Sequence, residues 1–180
     1  MRAPPRPGPP ALPAGPPASP ATGRDRRESE RMVAFWDSKL EEFGEGITIA
    51  SLDITAINSL RDWSNRFLIS VDPFIERSML IMYGGKFADL LGLPDKPRTD
   101  QPLLRQLPQR YGEVFIEGCT RAQQEWAPVR LEGDIPRDDG RIEQYRVVFI
   151  PVGVRPNALT CFAFGALSSR VLDPPPAAAG

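Results

Sequence analysis

The feature that most constrains the fold is a pair of long apolar runs joined by a turn, at residues 141–170. Its sequence is RIEQYRVVFIPVGVRPNALTCFAFGALSSR. The first run is rich in the β-branched and aromatic residues that suit a strand and is broken by Pro151 and Gly153, and the second spans 159–167. A half-buried antiparallel strand alternates apolar and polar residues, and neither run does so. We therefore expect a hairpin that is covered on both faces, on one by the body of the domain and on the other by another element.

Composition excludes several classes of function. The chain has 180 residues, with 22 basic and 23 acidic side chains and no histidine. Near-neutral charge gives no bulk attraction to nucleic acid or to an anionic membrane, and we expect neither as a partner. A chain without histidine cannot hold a His-ligated haem or a Ser-His-Asp triad. No apolar run reaches the ~20 residues of a membrane helix and no secretory signal is present, so the sequence favours a cytoplasmic protein.

The two cysteines, Cys119 and Cys161, lie far apart and form no CxxC motif. This spacing argues against a structural zinc site and a thioredoxin-like site. A disulfide between them is one alternative. Two buried free thiols are the alternative that we favour, because a free cysteine behaves as a small apolar residue.

The N-terminal part divides into three segments. Residues 1–27 are predicted to be a disordered proline-rich tail, 28–46 to contain an amphipathic helix, and 47–65 to be a connector with a possible short helix. The helix ends before Gly44 and Gly46. Its apolar stripe makes it the best candidate for the second cover of the hairpin, either on its own sheet or against a second subunit. The predicted interface consists of Met32, Phe35, Trp36, Leu40 and Phe43 of this helix, with Phe162 and Phe164 of the hairpin.

The remaining elements form one domain, which we place at 66–171, followed by a disordered tail at 172–180. The sequence predicts a long helical stretch at 103–126, whose apolar face becomes small towards its end. Asp139-Gly140 marks a tight turn between two strands. The predicted strands span 66–71, 78–83, 129–135, 141–151 and 158–169, with a short helix at 86–91.

This order of elements resembles a PAS domain. The resemblance is carried by FLISVD (67–72), by SMLIMYGGKFADLLGLP (78–94), by the long helix and by the three strands that follow it. The segments YRVVFIPV and FGAL are similar to stand-alone bacterial PAS-like proteins that lack an attached effector. The resemblance implies an α+β fold, with a five-stranded antiparallel sheet, helices packed on one face and the N-terminal amphipathic helix in addition. It also implies a non-enzymatic sensory or regulatory module in signal transduction, acting as a homodimer or on a separate signalling protein.

The cofactors of the family can be compared residue by residue. Haem-binding members use an axial histidine, which this chain lacks. Photoactive flavin members carry a cysteine in the motif Asn-Cys-Arg-Phe-Leu-Gln, whereas Cys119 lies in EGCTRAQ and Cys161 lies in LTCFAF. We therefore expect no cofactor of either kind, and a non-covalent ligand stays open.

The family's inner cavity provides a second hypothesis, a receptor for a small anionic metabolite. Arg146 is the charged candidate, because an inward guanidinium would need an anionic partner. Alternatively it faces solvent, or pairs with Glu143 or a nearby carboxylate. A third hypothesis is an unrelated cone-shaped α+β enzyme that uses Asp72 as acid or base. The predicted cavity residues are Tyr83, Tyr111, Phe115, Cys119, Gln144 and Arg146.

Overall fold

The computed structural model describes residues 23–44, 47–51, 63–153 and 161–173, and for 23–27 the backbone alone. The proline-rich tail as far as residue 22, the possible connector helix, the turn of the long hairpin and the tail from 174 lie outside the described residues. The predictions for those segments stay predictions.

The observed elements follow the predicted order. The first helix begins at Gly23 rather than at Glu28, and the long helical stretch is two helices interrupted at Leu107-Pro108. A proline lacks the N–H that would continue the first of these helices, and its fixed φ suits the start of the second. The elements are α1 (Gly23–Phe43), β1 (Arg66–Val71), β2 (Met79–Tyr83), α2 (Gly85–Leu91), α3 (Leu103–Gln106), α4 (Gln109–Glu125), β3 (Val129–Pro136), β4 (Ile142–Gly153) and β5 (Cys161–Leu172).

The five strands form one antiparallel sheet in the order β2-β1-β5-β4-β3. Helices α2, α3 and α4 pack on one face, and α1 packs on the other. The predicted fold class is thereby confirmed, as is the resemblance to a PAS domain at the level of the fold.

The inner cluster is the buried apolar core between the sheet and helices α2 to α4. Its centre is a group of four phenylalanines, whose neighbouring rings have centroids 5.1 to 6.1 Å apart. Helix α4 contributes residues at helical spacing, which places them on one face of the helix. The four rings belong to Phe67, Phe87, Phe115 and Phe149.

The outer cluster is the buried apolar core between the sheet and α1. Strand β4 supplies both clusters, because successive side chains of a strand point to opposite faces. Val147 and Phe149 belong to the inner cluster, whereas Val148 and Ile150 belong to the outer cluster, and all four are fully buried. The prediction that both faces of the hairpin are covered is confirmed, and the second cover is the chain's own helix.

Close approach between α4 and the sheet depends on Gly118. A Cβ at this position would lie 2.1 Å from a carbon of the Phe149 ring. Gly112 occupies the same helix, and a Cβ there would meet nothing within 4 Å. The two glycines share a helix and differ in packing, so they form a matched pair.

We expect Gly118→Ala to lower the free energy of unfolding by about 1–3 kcal/mol, because the added methyl group displaces the Phe149 ring. Gly112→Ala should raise it by up to about 1 kcal/mol, because alanine is the better helix former. Urea unfolding of the two variants measures both effects. Equal changes of the same sign would contradict this description of the packing.

Candidate functional site

Helix α1 is held on the outer face of the sheet by packing and by a buried hydrogen bond. Met32 and Trp36 are nearly fully buried in the outer cluster. The indole Nε1 of Trp36 donates a hydrogen bond to the carbonyl oxygen of Pro151, at 3.1 Å. This bond reaches from the helix to the backbone of β4, and it fixes where the helix lies along that strand.

A charged contact joins the N-terminal part of α1 to the sheet. Arg66 begins β1 on the outer face, and its side chain is only 5% exposed. Its Nη2 donates to Oε1 of Glu28 at 2.7 Å, while its Nε and Nη1 have no hydrogen-bond partner among the residues that the structure describes. The guanidinium lies over the ring of Phe164, 5.9 Å from the centroid. One carboxylate is thus the hydrogen-bonding partner of a buried cation, and unpaired buried donors of this kind are costly.

Residues that follow α1 in the chain complete this cover. Ile47 is buried in the outer cluster, and Thr48 forms an isolated parallel bridge with Gly153 at the end of β4. Trp63, just before β1, packs on Phe164 with ring centroids 5.7 Å apart. The sequence did not place these residues on the outer face, because short connectors carry no periodicity.

The structure brings together most of the predicted interface residues. Met32, Trp36 and Phe164 are buried in the outer cluster, and Phe35, Leu40 and Phe162 pack against it. Phe43 lies apart: it is 43% exposed, and its ring lies under the ammonium group of Lys39. These side chains are therefore used within one chain, and their use between chains stays a proposal.

The predicted cavity residues divide between the two faces. Tyr111, Phe115 and Cys119 lie in the inner cluster, and Tyr83 packs against it while donating its hydroxyl hydrogen to the carbonyl oxygen of Pro94. The region in which we expected a ligand cavity contains the four packed phenylalanine rings of the inner cluster.

The prediction that Gln144 and Arg146 line this cavity is wrong. Both occupy even-numbered positions of β4, in phase with Val148, and therefore lie on the outer face. Arg146 Nε donates to Oε2 of Glu132, its cross-strand partner on β3, at 2.8 Å. Gln144 accepts from Arg170 Nε at 2.9 Å. The pairing of Arg146 with a nearby carboxylate was the open alternative, and the carboxylate is Glu132.

The acidic residue on the inner face is instead Glu143, which is only 2% exposed. Its Oε1 accepts from the hydroxyls of Tyr111 at 2.8 Å and Ser169 at 2.7 Å. Its Oε2 accepts from Arg110 Nε and Arg137 Nη1, each at 3.2 Å. We call these five residues the Glu143 cluster. It joins the start of α4 to strands β4 and β5 and to the β3–β4 turn.

The electrostatics of the cluster favour the charged carboxylate. Burial alone would raise the pKa of Glu143, but hydrogen bonds from Ser169 and Tyr111 and the charges of Arg110 and Arg137 outweigh it, so that the pKa is lowered. Burial and the bond to Glu143 raise the pKa of the Tyr111 hydroxyl. The cluster at neutral pH is a carboxylate that accepts hydrogen bonds from two neutral hydroxyls and two guanidiniums.

The other candidate residues have structural surroundings. Cys119 and Cys161 are free and buried, as predicted, and burial raises the pKa of both thiols, that of Cys161 to about 11. Asp72 accepts a hydrogen bond from the backbone N–H of Phe74 at 2.8 Å, which is the role of a turn residue. Among the described residues, no group of three or more cysteine, aspartate or glutamate side chains could hold a metal ion. In the same residues, no helix is long and apolar enough to cross a membrane.

Known proteins resemble this chain at the level of the fold. No family model and no curated protein matches the chain. It is similar to the PAS domain of a protein from Colwellia psychrerythraea, with 15% identity over 66% of this chain and 98% of that one and a TM-score of 0.43. It is also similar to a fungal LOV domain photoreceptor, with 15% identity over 64% of this chain and 92% of that one and a TM-score of 0.38. The PAS domain of an HTR-like protein from Haloarcula marismortui has 15% identity over 67% of this chain and 94% of that one, with a TM-score of 0.31. The assignment of a PAS-like fold comes from this chain's own strand order and helix placement.

We expect Glu28→Gln to destabilise the docked position of α1 by about 1–3 kcal/mol, because it removes the charge that compensates buried Arg66. Glu42→Gln is the matched control on the same helix, since Glu42 pairs with Lys39 and is 53% exposed. Tryptophan fluorescence during urea unfolding, to which Trp36, Trp63 and Trp126 all contribute, reports the effect. If Glu42→Gln lost as much stability as Glu28→Gln, a specific role for the buried pair of Arg66 and Glu28 would be contradicted.

We expect Glu143→Gln to lower the free energy of unfolding by about 1–3 kcal/mol at pH 7, because two arginines and two hydroxyls lose a charged acceptor. The folded pKa lies below the ordinary value of 4.5, so the carboxylate's stabilisation is present above that value and is lost as pH falls through the folded pKa. The difference between variant and wild type should therefore shrink in acid. Glu132→Gln, which removes an exposed cross-strand pair, should cost less than about 1 kcal/mol. If the difference in free energy of unfolding between Glu143→Gln and wild type persisted unchanged in strong acid, below the folded pKa, the stabilising role of the charged carboxylate would be contradicted.

Proposed function

We propose that the protein is a non-enzymatic sensory or regulatory module that acts in signal transduction by protein contact at the outer face of its sheet. In this proposal α1 is a displaceable cover, and a second copy of the chain is the partner that the exposed face binds. The observation that carries the proposal is the outer cluster, a second apolar core of which one side is an N-terminal helix that precedes the domain. The PAS-like fold supports the same class of function.

The composition of the outer cluster supports pairing. The sheet side of the cluster presents Val148, Ile150 and Phe164 in one apolar strip beside the cationic Arg66. The matching side of α1 presents Met32 and Trp36 with the anionic Glu28. The α1 helix of a second copy carries the same two apolar residues and the same glutamate. If two copies exchanged this helix, every contact of the outer cluster would form again between the copies, and no additional complementary surface would be needed.

The proposal assigns no catalytic role and no bound cofactor to the inner cluster. The four phenylalanine rings occupy its centre, and the two thiols of this cluster, those of Cys119 and Cys161, are buried with raised pKa values. A thiol in those surroundings is a poor nucleophile. These residues do not fit a flavin that reacts with a cysteine, and the absence of histidine in the sequence does not fit a His-ligated haem.

Deletion of residues 1–44 tests the pairing role. We expect this variant to expose the apolar strip of the outer face, to bind a hydrophobic dye, and to change its mass in solution by light scattering after size exclusion. Deletion of residues 1–22 is the matched control, because it retains the whole of α1, and its mass should equal that of the full chain.

Two results would overturn the proposal. One is a 1–44 deletion variant that stays soluble with an unchanged mass and no dye binding. The other is a control deletion that changes the mass as much as the longer one, which would place the pairing determinant before α1.

A further inference from the structure

A surface cleft of about 540 Å³ lies beside the Glu143 cluster, on the opposite face of the sheet from α1. It is formed where the start of α4 meets the turn between β3 and β4. The turn is held by backbone hydrogen bonds between Arg137 and Arg141 at 3.0 Å and between Gly140 and Arg137 at 3.0 Å. The cleft is lined by Gln109, Arg110, Pro136, Arg137, Asp138 and Asp139.

Two of the lining residues are arginines that one buried carboxylate holds side by side. Arg110 Nε and Arg137 Nη1 each lie 3.2 Å from the same oxygen, Oε2 of Glu143. Glu143 is itself fixed through its other oxygen by the Tyr111 and Ser169 hydroxyls. Both guanidiniums therefore have a supported position before any ligand arrives, which is the arrangement that a precise binding site needs.

Each arginine uses one nitrogen on Glu143 and retains others. The side chains of Arg110 and Arg137 are 35% and 31% exposed, and both line the cleft. The buried Nε of Arg137 forms an ion pair with Asp139 Oδ2 at 3.5 Å, and within the described residues it has no hydrogen-bond partner. The cleft also lies at the start of the 17-residue helix α4, whose dipole adds partial positive charge.

Two carboxylates next to Arg137 limit what anion can enter the cleft. Asp138 and Asp139 contribute negative charge, and Asp139 is bound by Arg141, whose hydrogen bond lowers the pKa of Asp139 to about 2. A multiply charged phosphate would be repelled by these carboxylates more strongly than a single negative charge. The planar fork of a guanidinium matches a carboxylate group in shape.

We propose that this cleft binds a small molecule through a singly charged carboxylate group, which Arg110 and Arg137 hold together. Glu143 is a positioning residue in this site, because it orders the two arginines. The site is independent of the function proposed for the outer face, and a ligand here would add a small-molecule input to the same domain.

The test is a titration of the full chain with sodium acetate, followed by NMR of the backbone and arginine Nε–H signals at constant ionic strength. We expect saturable shifts that centre on Arg110, Arg137 and the turn at 138–140. Arg110→Gln and Arg137→Gln should each weaken binding at least tenfold. Arg130→Gln is the matched control. It removes the same charge from an exposed arginine of β3 that lies on the outer face of the sheet, away from the cleft, and this variant should bind acetate as the wild type does.

Titration with inorganic phosphate and with chloride separates carboxylate recognition from general anion attraction. Arg137→Lys, which keeps the charge and loses the fork, should also weaken acetate binding, and it serves if a glutamine variant does not fold. The absence of saturable shifts with acetate would overturn the proposal. So would equal shifts with chloride or phosphate, or unchanged binding in the folded arginine variants.

Discussion

The structure depends on the burial of β4 from both sides. One strand supplies odd-numbered side chains to the inner cluster and even-numbered side chains to the outer cluster, so two separate cores share one backbone. Burial of apolar side chains is the main stabilising contribution to such a domain. Helix α4 covers the inner side closely because Gly118 admits the Phe149 ring. Helix α1 covers the outer side with two buried residues, Met32 and Trp36, a tryptophan hydrogen bond and a buried ion pair.

The two polar sites differ in how fully they are satisfied. Glu143 accepts four hydrogen bonds, and all four donors belong to elements that form the body of the domain. The Glu143 carboxylate is thus fully satisfied, although the buried Nε of Arg137 in its cluster has no hydrogen-bond partner among the described residues. Arg66, in contrast, has one hydrogen-bonded carboxylate, and in the described part of the chain two of its nitrogens have no hydrogen-bond partner. Fully satisfied buried polar groups make a structure rigid, whereas buried donors without partners cost free energy. We therefore expect the contact between α1 and the sheet to be the weaker of the two.

Much of the fold could be predicted from the sequence because its patterns are periodic. The uninterrupted apolar runs of β4 and β5 predicted a hairpin with two covers, and the aromatic stripe of α1 identified the second one. The assignment of Arg146 and Glu143 could not be made in the same way. Successive side chains of a strand point to opposite faces, so the sequence shows which residues of β4 share a face. Because both faces of β4 are apolar, the sequence does not show which of them packs against α4. Arg146 was therefore a candidate for the inner cavity, with a solvent-facing or carboxylate-paired side chain as the alternative. Glu143, which lies in the opposite phase of the strand, was not recognised as the buried carboxylate. Arg66 and Ile47 were missed because the long-range contacts that bury them leave no local pattern.

Amide hydrogen exchange of the full chain, measured over a series of low urea concentrations, tests most directly whether α1 is a displaceable cover. Local opening would give the amides of α1 a smaller opening free energy than those of α4, with little dependence on urea. The α4 and β4 amides should exchange only through global unfolding. If α1 amides instead showed the same opening free energy and the same urea dependence as those of α4, the helix would be an integral part of the domain, and its role as a displaceable cover would be ruled out.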